Sequence, residues 1–192
     1  MMMTLIMIAG CVGGSSKPAK HYILSSMKGE EAVQIRTEGD QLSVIGLEPV
    51  RLSDYLDRSQ IVTRDSSNNI KIAEFDRWAG SFKDNIMRVL VNNLSALGAQ
   101  YNVSVVTLDK LVPIEYRIGV SISSFEAVSN EQVILDVHWN VFAEDKKDMI
   151  ISKRSIYRVK ISGPGYGDIV AAMSRALEDL SREIADEIKS LP

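Results

Sequence analysis

The clearest pattern in the chain is the alternation of apolar and polar residues in its second half. Every second side chain is apolar within 133–143, and the same alternation runs through 116–122. A period of two is typical of a β-strand with one buried face. A third apolar run, 149–161, follows the polar turn at 144–148. Because the connections are short, we predict an antiparallel meander of three strands.

Shorter apolar runs in the first half predict the remaining strands. A short strand is expected at 22–24, and a mostly buried one within 42–50. Two further runs lie within 61–75, on either side of a Ser-Ser-Asn-Asn string at 66–69 that is typical of a hairpin tip. Together with the meander, these runs predict a sheet of at least five strands.

Helical spacing follows the predicted hairpin. From Phe82 to Leu97 apolar residues recur every three or four positions, and Gly98 stands where such a helix is expected to end. Either Asp76 or Ser81 is expected to cap its start. The other side of the helix carries polar and charged residues, so one side is predicted to face the core.

A longer helix is predicted at the end of the chain. The glycine-rich string 163–167 interrupts the preceding strand, and Asp168 is expected to be the N-cap. An apolar stripe from Ile169 to Leu191 is wide enough to cover a sheet face. Two interpretations stay open, an intramolecular core helix or a seam for a partner helix. No phosphate-loop motif accompanies the glycines, so nucleotide binding is not expected.

Composition and charge narrow the functional classes. Of 192 residues, 45% are hydrophobic and 24% charged, which is typical of one globular domain. The net charge is −3 with no basic stripe, so nucleic acid is not an expected partner. One cysteine and two histidines, His21 and His138, are too few for a zinc site. With no recognisable nucleophile setting, we predict no enzyme, no catalytic residue and no metal.

The first residues carry the most specific chemical signal. The apolar stretch 5–8 runs into Ala9 and Gly10, and Cys11 follows. Small residues give a peptidase access to the backbone, and a thiolate is readily alkylated. The string Ile-Ala-Gly-Cys resembles the lipobox of bacterial lipoproteins, which implies cleavage behind Gly10 and covalent lipid, palmitate included, on Cys11 as the sole cofactor-like group. The alternative, a buried free cysteine, stays open.

These signals divide the chain into three parts. Residues 1–10 are expected to be a short signal peptide without a basic n-region, and a start upstream of residue 1 stays open. Residues 11–20 are expected to be a lipidated flexible tether that reaches at most ~35 Å. Residues 21–192 are predicted to be a single periplasmic domain. By resemblance, Val12 after the cysteine directs the protein to the outer membrane, since lipoproteins kept at the inner membrane typically carry aspartate there.

Several strings in the body add a more specific resemblance. They are HYIL at 21–24, YLDRSQIVTR at 55–64, RWA at 77–79, LDVHW at 135–139 and IADEIKSLP at 184–192. In this order they resemble the paraquat-inducible protein C family of ABC-type transport auxiliary lipoproteins. The resemblance covers residues 5–192, and YLDRSQIVTR and RWA are its more specific pieces.

The resemblance implies both a fold and a role. The implied fold is α/β, a mixed sheet of about five or more strands with helices on both faces, similar to the three-layer anticodon-binding-domain-like architecture. The implied role is that of a non-enzymatic auxiliary lipoprotein on the periplasmic face of the outer membrane in a Gram-negative bacterium. Its implied partners are an MCE-domain protein and an inner-membrane transport component, which carry lipid between membranes. A homo-oligomer is a further expectation.

Two other functions stay open beside this one. The first is a lipid carrier that encloses an acyl chain between sheet and helix. The second is a structural envelope lipoprotein without a transport role. Genomic neighbours of the MCE and permease type would favour the auxiliary role over both.

Tyr55, Leu56, Asp57 and Arg58 are expected to form a partner-binding surface. Apolar residues in a turn-rich loop flanked by charges fit an interface, where tyrosine and arginine are enriched. In the alternative, Tyr55 and Leu56 close the sheet edge while Asp57 pairs locally with Arg58 or Arg64. Both interpretations stay open.

Overall fold

The structure is a computed structural model that describes residues 17–27, 42–108, 112–146 and 148–191. Within these ranges nine strands and two α-helices follow one another along the chain. The strands are β1 (Lys20–Tyr22), β2 (Ser43–Leu47), β3 (Arg51–Leu52), β4 (Gln60–Ser66), β5 (Asn69–Trp78), β6 (Val103–Thr107), β7 (Tyr116–Val128), β8 (Gln132–Ala143) and β9 (Asp148–Lys160). The helices are α1 (Phe82–Gly98) and α2 (Tyr166–Ile188), and a 3₁₀ turn spans Ala99–Tyr101. Neither helix of this described part is long and apolar enough to cross a membrane.

All nine strands belong to one mixed sheet centred on β7. On one side β7 pairs antiparallel with β8, and β8 pairs antiparallel with β9, which confirms the predicted meander. Along its other side β7 pairs in parallel with β2, β3 and β4. The sheet then continues from β2 to β6, and from β4 through the predicted hairpin to β5 and finally β1.

Both helices pack against the same face of this sheet. Phe125, Leu135 and Tyr157 lie directly cross-strand, in one row of that face. Phe82 of α1 stacks on Phe125 with 5.7 Å between ring centroids, and Glu183 of α2 accepts a hydrogen bond from the Tyr157 hydroxyl. The mixed α/β class is confirmed, whereas the described helices form one layer instead of lying on both faces.

The opposite face of the sheet, which we call the open face, carries neither of the two described helices and presents several polar pairs. The Arg154 guanidinium donates to both carboxylate oxygens of Asp136, at 3.0 and 2.7 Å. Nε2 of the exposed His138 lies 2.9 Å from the Ser152 hydroxyl. Such cross-strand polar pairs stabilise a sheet face while it stays hydrated.

The start of α1 follows its prediction. The Ser81 hydroxyl accepts a hydrogen bond from the Asp84 N–H at 3.2 Å and so forms the N-cap. Trp78 stacks on Phe82 with 4.4 Å between ring centroids, which fastens this end of the helix to the sheet.

The start of α2 differs from its prediction. Gly165, and not Asp168, is the N-cap residue. Asp168 instead accepts the Gly165 N–H from within the first turn, at 3.1 Å, as the reciprocal half of a capping box does. The apolar stripe of α2, including Leu177, Leu180 and Ile184, is buried inside the molecule, which favours the core interpretation.

Candidate functional site

The residues predicted to bind a partner lie in the loop 53–59, between β3 and β4. The Ser53 N–H donates to the Ile122 carbonyl at 3.1 Å, and its hydroxyl donates to the Ser123 carbonyl at 2.9 Å. The register of β7 against β8 shifts between Ile122 and Ser124. A bulge leaves backbone groups of β7 free to bond outside the β7–β8 ladder. The loop is hydrogen-bonded to β7 at this irregularity.

The four predicted residues lie in different environments. Leu56 is 2% exposed and belongs to the core. Arg58 is partly buried, and its Nε donates to the Tyr55 carbonyl at 2.9 Å. Asp57 is exposed and pairs with Lys83 of α1 at 3.3 Å, rather than with either arginine considered above. The structure therefore brings Asp57 and part of Arg58 to the surface and takes Leu56 into the core, and binding by this loop stays a prediction.

A buried charged cluster under this loop was missed by the sequence reasoning. Glu126 is 1% exposed. One of its carboxylate oxygens accepts from Arg64 at 2.8 Å, and the other accepts from the Tyr55 hydroxyl at 2.9 Å and the Phe125 N–H at 2.7 Å. The alternation within β7 places Glu126 on the open face, and alternation alone does not reveal that a loop covers this position.

The electrostatics of the cluster favour a stable ion pair. Burial raises the pKa of the Tyr55 phenol, and the Glu126 carboxylate adds to this effect, so the tyrosine is a neutral donor at physiological pH. Burial opposes the charge of Arg64, but the hydrogen bond and attraction to Glu126 outweigh it and raise the guanidinium pKa. Because each member has hydrogen-bond partners, the cluster fixes the loop to the sheet.

The arrangement nearest to a catalytic pair is His138 with Ser152 on the open face. A nucleophile–base pair normally has a third group that orients the base. The neighbouring Asp136 is engaged by both nitrogens of Arg154, so it is not directed at the histidine. Among the residues described, no group of three histidine, cysteine or acidic side chains is placed to hold a metal ion.

One cavity between the C-terminal ends of the two helices and the sheet is small. A cavity lined by Leu94, Val105 and Ile188 has a volume of about 10 Å³. This is barely enough for one water molecule, so an acyl chain does not fit there. An open groove of about 380 Å³ lies beside Leu47 and Met87, at the surface.

The chain enters the body at one outer strand of the sheet. Lys17 to Lys20 are exposed, and β1 pairs in parallel with β5 at the opposite end of the sheet from β9. The Tyr22 hydroxyl donates to Asp76 of β5 at 2.6 Å. Cys11, the predicted lipidation site, lies outside the described residues.

Residues 23–27, which we call the clasp, then cross both helices. The Ser25 N–H donates to the Ser174 hydroxyl of α2 at 3.1 Å, and the Met27 N–H donates to Asn93 of α1 at 2.8 Å. Asn93 also donates to Ser181 of α2 at 3.2 Å, in a fully buried contact. Leu24 is 1% exposed, so the clasp is part of the packed body.

The fold defines the class of this protein, an α/β domain with one layer of helices in its described part, which the chain enters at an outer strand of the sheet. The sequence matches the ABC-type transport auxiliary lipoprotein component family over residues 22–185, and the chain belongs to that family. The intermembrane transport lipoprotein PqiC of Escherichia coli (strain K12) is 23% identical to it over 185 residues, which cover 96% of this chain and 94% of PqiC. The resemblance seen in the sequence is confirmed.

Solved structures share the fold. A crystal structure of an uncharacterized protein matches with a TM-score of 0.75 and 20% identity, covering 90% of this chain and 99% of the other. A crystal structure of a Xanthomonas campestris protein matches with a TM-score of 0.71 and 12% identity, covering 88% and 94% respectively. At these identities the similarity establishes the architecture.

Proposed function

We propose that this protein is the outer-membrane-side, non-enzymatic component of an intermembrane lipid transport system, held at the membrane by lipid on Cys11. Family membership supports the auxiliary role, and the related PqiC is an intermembrane transport lipoprotein. The observation that carries the proposal is the exposed entry of the chain at β1. An anchor upstream of β1 leaves the remaining faces of the body accessible to partners.

The leading segment acts as the spacer in this proposal. Residues 11–20 span at most ~35 Å when fully extended, so the body is able to stand clear of the lipid surface. One acyl chain binds membranes marginally, whereas several chains on one cysteine give a lasting anchor. Val12 supports delivery to the outer membrane.

An MCE-domain protein, with an inner-membrane transport component behind it, is the proposed partner. Asp57 and Arg58 supply the surface part of the predicted contact, and the Glu126 cluster beneath keeps the loop in one conformation. A rigid loop loses less conformational entropy on binding than a mobile one. Assembly of several copies around the same partner is part of the proposal.

The anchor is tested by labelling cells with radioactive palmitate. The wild-type protein is expected to incorporate label and to sediment with outer membranes, while Cys11→Ser is expected to lose the label and become soluble in the periplasm. Ser15→Ala, a change of the same size close by, serves as the control and keeps both properties. Unchanged labelling of Cys11→Ser would refute the anchor.

The partner is tested by photocrosslinking in cells. A photoreactive residue at Asp57 is expected to capture an MCE-domain protein, whereas one at the exposed Arg182 of α2 is not. Capture of a sister subunit from Asp57 would make the loop an oligomer contact and contradict the assignment of this surface.

A further inference from the structure

We infer that the free edge of β9 binds an extended, acidic segment of a partner protein by strand addition. β9 contains 13 residues, and β8 is its only strand partner among the residues described. At ~3.3 Å per residue the strand is roughly 43 Å long. On its outer side, alternate N–H and C=O groups have no strand partner in the described part of the chain, and such an edge is the template for β-augmentation. The inference goes beyond the proposed function and does not depend on the lipid anchor.

Contacts with β8 and α2 hold this edge rigidly in place. From Ile151 to Lys160 the pairing with β8 runs without interruption. On the helix side Lys153 forms an ion pair with Glu187, and the Ser155 hydroxyl donates to Glu183 at 2.9 Å. A preorganised edge costs an incoming strand little ordering entropy.

Natural sheet edges are usually protected by bulges, charges or proline. The irregularity of β9 lies at its start, where the register shifts between Val141 and Phe142 of β8. Beyond that point the strand has no proline, and its charged residues are all positive: Lys153, Arg154, Arg158 and Lys160. The positive charge repels basic strands and leaves the edge open to acidic ones.

Two of these cations are available to a partner. Lys153 is paired with Glu187 and Arg154 with Asp136. Arg158 and Lys160 are exposed, and neither forms a salt bridge within the described ranges, although the charge of Arg158 also attracts the carboxylate of Asp136. Between the two pairs of charges Ile156 is 42% exposed, which gives an incoming strand an apolar side chain to pack on.

The charge pattern also decides between an acidic strand and a second copy of the chain. Two β9 strands side by side would bring arginine and lysine close to arginine and lysine, and like charges opposite each other destabilise a sheet. Glutamate or aspartate at alternate positions would instead meet Arg158 and Lys160 along one face. The occupant is therefore an extended acidic segment.

The test uses the full-length protein in mild detergent and two fluorescent peptides. One peptide alternates threonine with glutamate, and its matched control alternates threonine with lysine. The acidic peptide is expected to bind, more weakly as salt rises, and to slow amide hydrogen exchange within 151–160. The basic peptide is expected not to bind.

Charge-reversed variants localise the binding. Arg158→Glu combined with Lys160→Glu is expected to weaken acidic-peptide binding about tenfold. Lys17→Glu combined with Lys20→Glu makes the same charge change at the other end of the sheet and is expected to leave the affinity unchanged. Circular dichroism checks that both variants fold. If one of them does not fold, the salt dependence and the hydrogen exchange of the wild-type protein still test the inference. Lack of acidic-peptide binding, equal weakening by both variants, or protection of β9 by self-association alone would overturn the inference.

Discussion

Glu126 joins two strands and a loop through one buried carboxylate. Truncation by Glu126→Ala removes the carboxylate to which Arg64 and Tyr55 donate, so the charge of Arg64 loses its counter-charge and keeps only neutral partners such as the Ser67 carbonyl. Breaking a buried ion pair in this way is costly. We expect the free energy of unfolding to fall by about 3 kcal/mol, since Arg64 keeps some contact with solvent. Urea denaturation measures the change.

The control for this variant is Glu74→Ala, at an exposed position of β5. It is expected to change the free energy of unfolding by less than about 0.5 kcal/mol. Equal effects of the two substitutions would mean that the Glu126 cluster does not stabilise the fold.

Tyr22 gives the protein a pH dependence in the alkaline range. Its hydrogen bond to Asp76, with burial adding to the effect, raises the pKa of the phenol to about 12. An unfolded tyrosine ionises near pH ~10. Because the folded-state pKa is the higher one, this contribution to stability is intact below pH ~10 and is lost as the pH rises towards 12.

The test of this dependence compares unfolding free energies across that window. Tyr22→Phe is expected to lose stability less steeply with rising pH than the wild-type protein. Tyr101→Phe, at a 50% exposed position, is expected to keep the wild-type slope. A wild-type slope in Tyr22→Phe would contradict the assignment to this phenol.

Among the elements, α1 depends on its cap. The Ser81 hydroxyl satisfies an N–H that the helix itself leaves unpaired, so Ser81→Ala is expected to lower the free energy of unfolding by about 1 kcal/mol. Thermal or urea unfolding measures it. Ser67→Ala in the exposed β4–β5 turn is the matched control, and a loss as large there would show that the cap has no special role.

The elements with strong local patterns are the ones that the sequence predicts well. β7, β8 and β9 alternate with a period of two, and α1 has a helical stripe, a capping serine and a terminal glycine. β3 has two residues, and its place in the sheet is set by pairing with β7 some seventy positions later. Such long-range pairing leaves no periodic signal, and the same is true of the strand order.

The sequence pattern also does not predict on which face of the sheet the helices lie. Amphipathic stripes in α1 and α2 predict that each covers a sheet, but they do not say which face. The contact between Asn93 and Ser181 brings the two helices together, and only their three-dimensional arrangement places both over the Phe125 row. The candidate site was predicted in part. The string YLDRSQIVTR indicated the loop, whereas Glu126 lies in β7, far from the loop in the sequence, and was not predicted.

One continuous hydrophobic core joins both helices to the strands on either side of β7. Leu180→Ala in the fully buried part of α2 is expected to lower the free energy of unfolding by about 3 kcal/mol. Because the core is shared, hydrogen exchange is expected to accelerate in α1 and β5 as well as in α2.

The control for this experiment is Leu191→Ala, at a partly exposed position near the end of the chain. Its effect is expected to stay below about 1 kcal/mol, without faster exchange in α1. Acceleration confined to α2 in Leu180→Ala would show that the helices unfold independently.

The clasp has a mechanical consequence. In the proposed arrangement, a pull from the membrane anchor reaches β1 first, and β1 is joined to the sheet by a three-residue parallel pairing with β5 and by the Tyr22–Asp76 hydrogen bond. Behind it, the clasp bonds to α1 through Asn93 and to α2 through Ser174. We therefore expect such a pull to be shared between α1 and α2, both of which pack on the core.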